Sequence, residues 1–524
     1  MFTTNKKTNT PTPPKRPFMK HKNKSLKLFR KLHKWPGIII ALLAILFASS
    51  GIVMNHRPLF SSVDVKRSWL PESYHYQNWN QAAVRGGLPL DSSRFLIFGN
   101  VGIWLQEDTI FSSFNQGFPR GIDQRKTYQV VSFQNQQLFA ATHFGLYQRS
   151  LKEEHWQKIP LPIQEERLTD VFIKDDSLMV LSRHHLLKSA NGQAFEVVQL
   201  PKPEGYKRET GLFKTLWNLH SGELFGFGGK LFVDLLGIVT ILLAISGLLH
   251  FFFPKLAKRR RAKQKDNTRL TAARRLNLRW HNVAGYLFIF FLLLNTTAGM
   301  FLRPPLLIPI ASTKVGLIPG THLDNPNPWF DKLRRAQWNE SLKSYVLSTS
   351  DGFYLADESL QQPLQKAPVQ PPVSVMGCNV LEPISATQYL VGSFSGLFIW
   401  DLKNQLVLDA FSLKQPRAST GRPISNHMVA GYFERNAQEH YWFDYNRGMQ
   451  SFEGHQPPTM PDQVLEQTPM SLWNTALEIH TGRIFEHLLG PFYILYVPLS
   501  GLCLLMVLLS GFLIWWKAYR KTNR

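Results

Sequence analysis

The 524-residue sequence predicts an integral membrane protein: an all-α four-helix bundle made from a duplicated helix hairpin, plus an external all-β, propeller-like domain built from two insertions. Three observations carry this. Four apolar runs are long enough to cross a hydrocarbon core of ~30 Å, which takes ~20 helical residues. The excess positive charge flanks those runs. The two halves of the chain repeat the same histidine and glycine signatures in the same order.

The apolar runs are Trp35 to Met54, Leu231 to Phe253, Val283 to Leu302 and Pro491 to Trp516, and their single acid is Asp234. The net charge of +24 is concentrated beside them. Residues 1–34, 255–279 and 517–524 together carry 26 Lys/Arg and one acid, Asp266. A nucleic-acid domain would spread its cations over a folded face among stacking aromatics, so nucleic acid is not an expected partner. Cations beside spans instead mark cytoplasmic segments. Both termini and the central basic loop are then inside, and both long insertions outside. The alternative for the first run, a secretory signal peptide, is disfavoured because the run exceeds an apolar core of 7–15 residues.

The expected organisation is a basic tail (1–34), a first span (35–56), an external β region (57–215), a second span with its preceding His-Ser-Gly segment (216–254), a basic loop (255–280), a third span (281–303), a second external β region (304–470), a fourth span with its His-Thr-Gly segment (471–516) and a cytoplasmic tail (517–524). Membrane lipid is the first expected partner. Cys378 lies in a soluble region and Cys503 in an apolar run, so they do not pair, and no Cys-x-x-Cys-His motif attaches a haem covalently.

The repeat is specific. His33 and His281 each open a span, each with a glycine four residues on (Gly37, Gly285) and another eighteen residues on (Gly51, Gly299). Leu219-His-Ser-Gly-Glu-Leu-Phe225 precedes the second span, and Ile479-His-Thr-Gly-Arg-Ile-Phe485 precedes the fourth. Those two spans also share Ser246-Gly247 and Ser510-Gly511. Equal span number and orientation in each half imply a parallel repeat about an axis along the membrane normal, and the small residues suit close helix packing in lipid.

Both insertions read as short strands with turn signals every 8–12 residues, in units of four strands near 95–119, 127–162, 168–201, 341–368, 373–411 and 427–454. That period is a propeller signature. Three units alone leave exposed edges, so one six- or seven-bladed propeller assembled from both insertions is expected, with two separate β domains as the alternative.

Leu32-His33-x-x-x-Gly37, His220-Ser-Gly, Trp280-His281-x-x-x-Gly285 and His480-Thr-Gly together resemble the PepSY-associated transmembrane family of bacterial inner-membrane proteins, also called iron-regulated membrane proteins. The resemblance covers the membrane part; neither insertion reads as a PepSY domain proper. It implies a multi-pass bacterial inner-membrane protein with a periplasmic β domain. Some members resemble di-haem ferric-siderophore reductases, which implies haem and a ferric siderophore as external acceptor.

The residues independently single out the histidines, since ionisable side chains at membrane depth are costly and usually functional. A b-type haem needs two axial imidazoles, which histidines within a bundle supply. His33 with His281 at the inner end, and His220 with His480 at the outer end, give two b-type haems. The bland alternative is four ordinary helix-end residues. Secondary ligand candidates are His56, His250 and His487, the last seven residues after His480 on the same helical face; pairing His56 with His220 and His33 with His250 fits the heights equally well. Arg57 and Arg303 would meet haem propionates or lipid phosphates. Asp234 would be a proton or cation relay, or simply be held by a histidine or the backbone. Trp35, Trp280, Trp515 and Trp516 read as interfacial belt residues.

The expected function is transmembrane electron transfer from a cytoplasmic or quinol donor to an outer acceptor, chelated ferric iron among the options. Its rivals are a membrane-anchored propeller for ligand binding or sensing, and a proton- or metal-coupled transporter. No phosphate-cradling glycine loop or zincin motif supports an ATP-driven or protease reading.

Overall fold

The computed structural model describes residues 19–134, 137–373, 376–416 and 425–519, with side chains from Lys24 onward. Parts of both predicted basic tails, residues 1–18 and 520–524, therefore lie outside the described residues. The chain divides into two compact units: a helical unit comprising the residues up to Asn55, Thr210–Val315 and those from Leu477 on, and a β unit comprising His56–Glu209 and Gly316–Ala476.

The main helices are α1 (Met19–Asn55), α2 (Leu212–Ser221), α3 (Gly226–Ala262), α4 (Thr268–Met300), α5 (Leu472–Thr481) and α6 (Tyr496–Ala518). Four of them, α1, α3, α4 and α6, are long and apolar enough to cross a membrane. α1 and α4 each pack on both α3 and α6, so these two face one another diagonally. The predicted basic loop is mostly helix: α3 runs to Ala262, α4 starts at Thr268, and only 263–267 turn. Hydropathy marks where lipid ends, whereas Lys and Arg are good helix formers that carry the same helices onward. The fourth span is shorter than its apolar run, because Gly490–Leu495, with Pro491, is a separate 3-10 turn.

α2 and α5 end at the repeated His-[Ser/Thr]-Gly, and Gly222 and Gly482 follow with φ of +80° and +78°. A Cβ on Gly222 would lie 2.2 Å from Gly229 O, and one on Gly482 2.3 Å from Tyr496 Cδ1. Only glycine tolerates both the left-handed backbone and the close approach. At the end of α1, Asn55 Nδ2 donates to Asp234 Oδ1 (3.1 Å) and Ser221 O (3.2 Å). Asp234 thus accepts from a side-chain amide that ties α1 to α3.

In the β unit, the described residues form five four-stranded and one three-stranded antiparallel sheets, in chain order 86–113, 127–159, 168–198, 333–366, 380–409 and 429–451, beside small two-stranded pairings. The second strand of a sheet is buried on both faces, as in Ser177–Ser182, where all but the first residue are buried. Each sheet shares an apolar core with the next. Phe98, Ile103, Val130 and Leu138 join the first to the second, and Phe139, Leu168 and Val180 the second to the third. Phe172, Met179, Leu333 and Leu347 join third to fourth, Val346, Phe353, Tyr389 and Trp400 fourth to fifth, and Val380, Leu397, Val429 and Trp442 fifth to sixth. Phe95, Trp104, Phe433 and Phe443 pack the sixth sheet against the first. Backbone and side-chain bonds reinforce these seams: Tyr432 N donates to Arg85 O (3.2 Å), and Ala336 N to Asp170 Oδ2 (3.0 Å).

Candidate functional site

The repeated histidines sit within the helical unit, and each uses its Nδ1 in the same way. His33 Nδ1 lies 2.9 Å from Val507 O and His220 Nδ1 3.0 Å from Asn295 O. His480 Nδ1 lies 3.1 Å from Phe47 O and 3.0 Å from Ser50 Oγ. His281 Nδ1 is 2.8 Å from Ser246 Oγ, whose own proton goes to Leu243 O (3.1 Å). A carbonyl can only accept, and the two serine hydroxyls already donate to carbonyls of their own helices. The proton is therefore on Nδ1, and each Nε2 keeps its lone pair. Anchoring one ring nitrogen so that the other can bind metal is how ligating imidazoles are oriented.

The rings also meet in pairs, each joining one half of the chain to the other. His33 and His281 have ring centres 6.0 Å apart with planes at 77°, and His220 and His480 6.0 Å apart at 56°. Two imidazoles on one metal through ~2 Å bonds place their ring centres about 6 Å apart. Among the described residues no three His, Cys, Asp or Glu side chains converge on one point. A tetrahedral protein-bound zinc needs four ligands, which two histidines leave incomplete; a haem brings its own equatorial nitrogens, so two axial imidazoles complete its iron.

The glycines of the repeat make room for these rings. A Cβ on Gly511 would stand 2.8 Å from His33 Cε1, one on Gly299 2.6 Å from His220 Cε1, one on Gly51 3.5 Å from His480 Cε1 and one on Gly247 3.6 Å from His281 Cε1. Around His33 and His281 a largely apolar cavity of about 450 Å³ opens, lined also by Gly37, Gly285, Tyr286 and Trp515. That is within the 300–1,000 Å³ range of cofactor pockets. Gly37 and Gly285 each lie one turn after their histidine; a Cβ on Gly285 would meet nothing within 4 Å. The donor set, the anchored Nδ1 atoms and this cavity fit a haem at the His33–His281 end; the donor set and anchoring fit one at the His220–His480 end.

The secondary candidates separate. His250 lines the same cavity, and its Nδ1 is buried without a hydrogen-bond partner among the described residues. The rings in contact, His33 with His281 and His220 with His480, come from opposite halves. His56 follows the end of α1 as the cap of the short helix Arg57–Phe60. His487 is not on the helical face of His480: Gly482 ends that helix, His487 belongs to Glu486–Leu489, and it is exposed with Nδ1 2.9 Å from Ile484 O. The seven-residue spacing presupposed an unbroken helix. Arg57 is committed to the β unit, with Nε and Nη2 on Asp123 at 2.7 and 2.5 Å and its guanidinium 4.0 Å from the Trp473 ring; it is no propionate ligand. Arg303 donates to Thr481 O at 3.4 Å, beside His480. The serine and carbonyl partners of Nδ1 went unmarked in the sequence: Ser50 and Ser246 stood in the repeated small-residue runs but read only as packing.

Two successive matches to the model of the PepSY-associated TM region cover residues 3–253 and 253–518. No functionally curated protein matches the sequence. Among solved structures, the extracellular domain of BT4673 from B. thetaiotaomicron is similar at 8% identity and a TM-score of 0.34, over 70% of this chain and 32% of that one. PorZ of Porphyromonas gingivalis, a surface component of the type-IX secretion system, is similar at 8% identity and a TM-score of 0.33, over 70% of this chain and 38% of its own. The computationally designed Ika8 protein gives 9% identity and a TM-score of 0.29, over 73% of this chain and 79% of that one. The chain thus spans less than half the length of either natural structure.

Proposed function

The chain belongs to the PepSY-associated TM family, and from that premise we propose that it carries electrons across a bacterial inner membrane through two b-type haems. His33 and His281 would hold one, His220 and His480 the other. The observation that carries this reading is the common geometry of the four rings: each Nδ1 is anchored, and the rings pair across the halves at 6.0 Å. Bound haem would supply the one-electron chemistry. The chain's own task is to fix the imidazoles and, at the inner pair, to line their cavity with largely apolar side chains. A cytoplasmic or quinol donor and an outer acceptor, chelated ferric iron such as a ferric siderophore, complete the proposal. Asp234 gives the transporter reading less support, since Asn55 holds it.

The orientation, with both termini inside and the β unit periplasmic, rests on the 26 cations of the three basic stretches. The six sheets are read as one six-bladed propeller; the support is the series of shared cores that runs from each sheet to the next and from the sixth to the first. The test is the visible spectrum of the purified full chain, with haem counted after acid extraction. Two non-covalent haems per chain are expected. His33→Ala or His281→Ala should halve the content or turn one low-spin signal high-spin, and His220→Ala or His480→Ala should do so for the other. A colourless protein sinks the proposal and leaves a sensing module; a reporter fused after Lys258 that reads as external sinks the orientation.

A further inference from the structure

We propose that the β unit holds a binding site for a multiply charged oxyanion, a polycarboxylate or a phosphate, formed by Arg85, Lys126, Arg167 and Arg334 at the starts of the first strands of four successive sheets. The placement is regular. Arg85 immediately precedes Gly86–Pro89, Lys126 precedes Thr127–Phe133, Arg167 precedes Leu168–Lys174, and Arg334 is the second residue of Leu333–Asn339. Three come from the first insertion and one from the second, so only the assembled unit contains the site.

These cations face one another without acids of their own. Among the described residues no carboxylate lies within ion-pair distance of any of the four. The nearby acids are taken: Asp331 by Arg183 (2.5 Å), Asp123 by Arg57 (2.5 Å), Asp170 by Arg335 (3.1 Å) and Glu165 by His184 (2.9 Å). Arg85 Nε and Arg334 Nε are buried with no hydrogen-bond partner among the described residues. The bonds that do form are neutral, Arg85 Nη1 to Asn379 Oδ1 (3.3 Å) and Arg334 Nη1 to the carbonyls of Asp331 and Leu333 (both 3.0 Å). Tyr128 stands among them, its ring 5.2 Å from Arg85 Cζ and 5.8 Å from Lys126 Nζ, and its hydroxyl 2.9 Å from His143 Nδ1.

Arg85, Lys126 and Arg167 act together on Tyr128, and Arg167 acts on Arg334. Burial alone would raise the Tyr128 phenol, yet Lys126, Arg167, Arg85 and Arg57 bring it down to about 8. Burial, with repulsion from Arg85 and Arg57, takes Lys126 down to about 8, and burial with repulsion from Arg183 and Arg167 takes Arg334 to about 9. Buried like charges without counter-ions oppose folding; a guanidinium fork with a free Nε–H is the side chain suited to a carboxylate or phosphate edge. Four cations against no free acid call for a ligand of at least two negative charges. The site stands independently of any haem.

The test uses the full chain in detergent, with thermal unfolding and calorimetric titration against citrate, pyrophosphate and inorganic phosphate, and sodium chloride of equal ionic strength as control. At least one anion should raise the unfolding temperature above the chloride control, and the citrate and phosphate arms tell the two chemistries apart. Lys126→Gln and Arg167→Gln should each weaken that binding by about tenfold or more while leaving the ligand-free unfolding temperature unchanged or higher, because each removes a half-buried charge with no carboxylate partner. Lys152→Gln, on the surface, should change neither. Absence of binding by all three anions to the unmodified chain overturns the proposal. So does binding that survives both substitutions undiminished, or a fall in ligand-free stability in both, which would make the cations structural.

Discussion

At the scale of single residues, the histidines are defined as much by the atom they give away as by the one they keep. Three of the four Nδ1 atoms reach main-chain carbonyls, Val507, Asn295 and Phe47, which no side-chain substitution can delete. His281 has Ser246 Oγ as its nearest partner at 2.8 Å, with the Leu243 carbonyl also in reach. Ser246→Ala should therefore loosen that ring alone, weakening haem retention at the inner pair by ~10–100-fold while leaving the outer pair intact. Haem loss to an excess of scavenging apoprotein measures this, and equal loss rates in variant and parent would rule out Ser246 as an anchor. The equivalence of the four histidines was legible, because the duplication marked all of them. Their Nδ1 partners were not, since a carbonyl 75 to 474 residues away leaves no trace in residue type. The cation cluster was invisible for a related reason: Arg85, Lys126, Arg167 and Arg334 lie far apart in sequence, within insertions of nearly balanced charge.

At the scale of elements, the short helices α2 and α5 place His220 and His480, and the glycine after each turns the chain back toward the following span. Gly482 combines φ of +78° with a Cβ position 2.3 Å from Tyr496 Cδ1; Gly226 has φ of +65° and nothing within 4 Å. Gly226→Ala should cost only the strain of a positive-φ backbone that glycine alone adopts readily, ~1–3 kcal/mol. Gly482→Ala should add overpacking against Tyr496, a further ~1–3 kcal/mol, and disturb the His480 ring. Thermal unfolding of the two variants side by side checks the difference, and equal losses would show that Tyr496 simply moves aside. The repeat made this turn legible as a motif, but not as a break. Reading His480 and His487 as one face followed from counting residues through a glycine whose backbone conformation the sequence does not state.

At the scale of the whole molecule, the strand units were legible because the β pattern is local: strands such as Leu178–Ser182 and Gly396–Trp400 are short apolar runs bounded by turns. The helix lengths were less so, since hydropathy reports lipid and not hydrogen bonding. The two insertions meet in cores to which each contributes: Trp329, 2% exposed, packs with Leu333 and Leu347 of the second insertion and Phe172, Met179 and Leu186 of the first. Trp329→Ala should cost ~3–5 kcal/mol and lower the unfolding temperature of the entire β unit in one transition. Separate transitions for the two insertions would argue against a shared ring. Fragments 60–210 and 305–470, made separately, should each be poorly ordered and gain order when mixed.

A chain with this order of segments also has a problem of timing. The three sheets of the first insertion are synthesised long before the partners that cover both of their open faces, with the last strand, Gly448–Ser451, arriving some 250 residues after Glu196–Val198. At about 5–20 residues per second, the half-built domain waits for tens of seconds with Phe172 and Met179 on one face and Phe95 and Trp104 on the other exposed to whatever surrounds it. Synthesis of the second insertion is thus a step in folding the first, and a chain stalled in the central basic segment would present two sticky β edges to its neighbours.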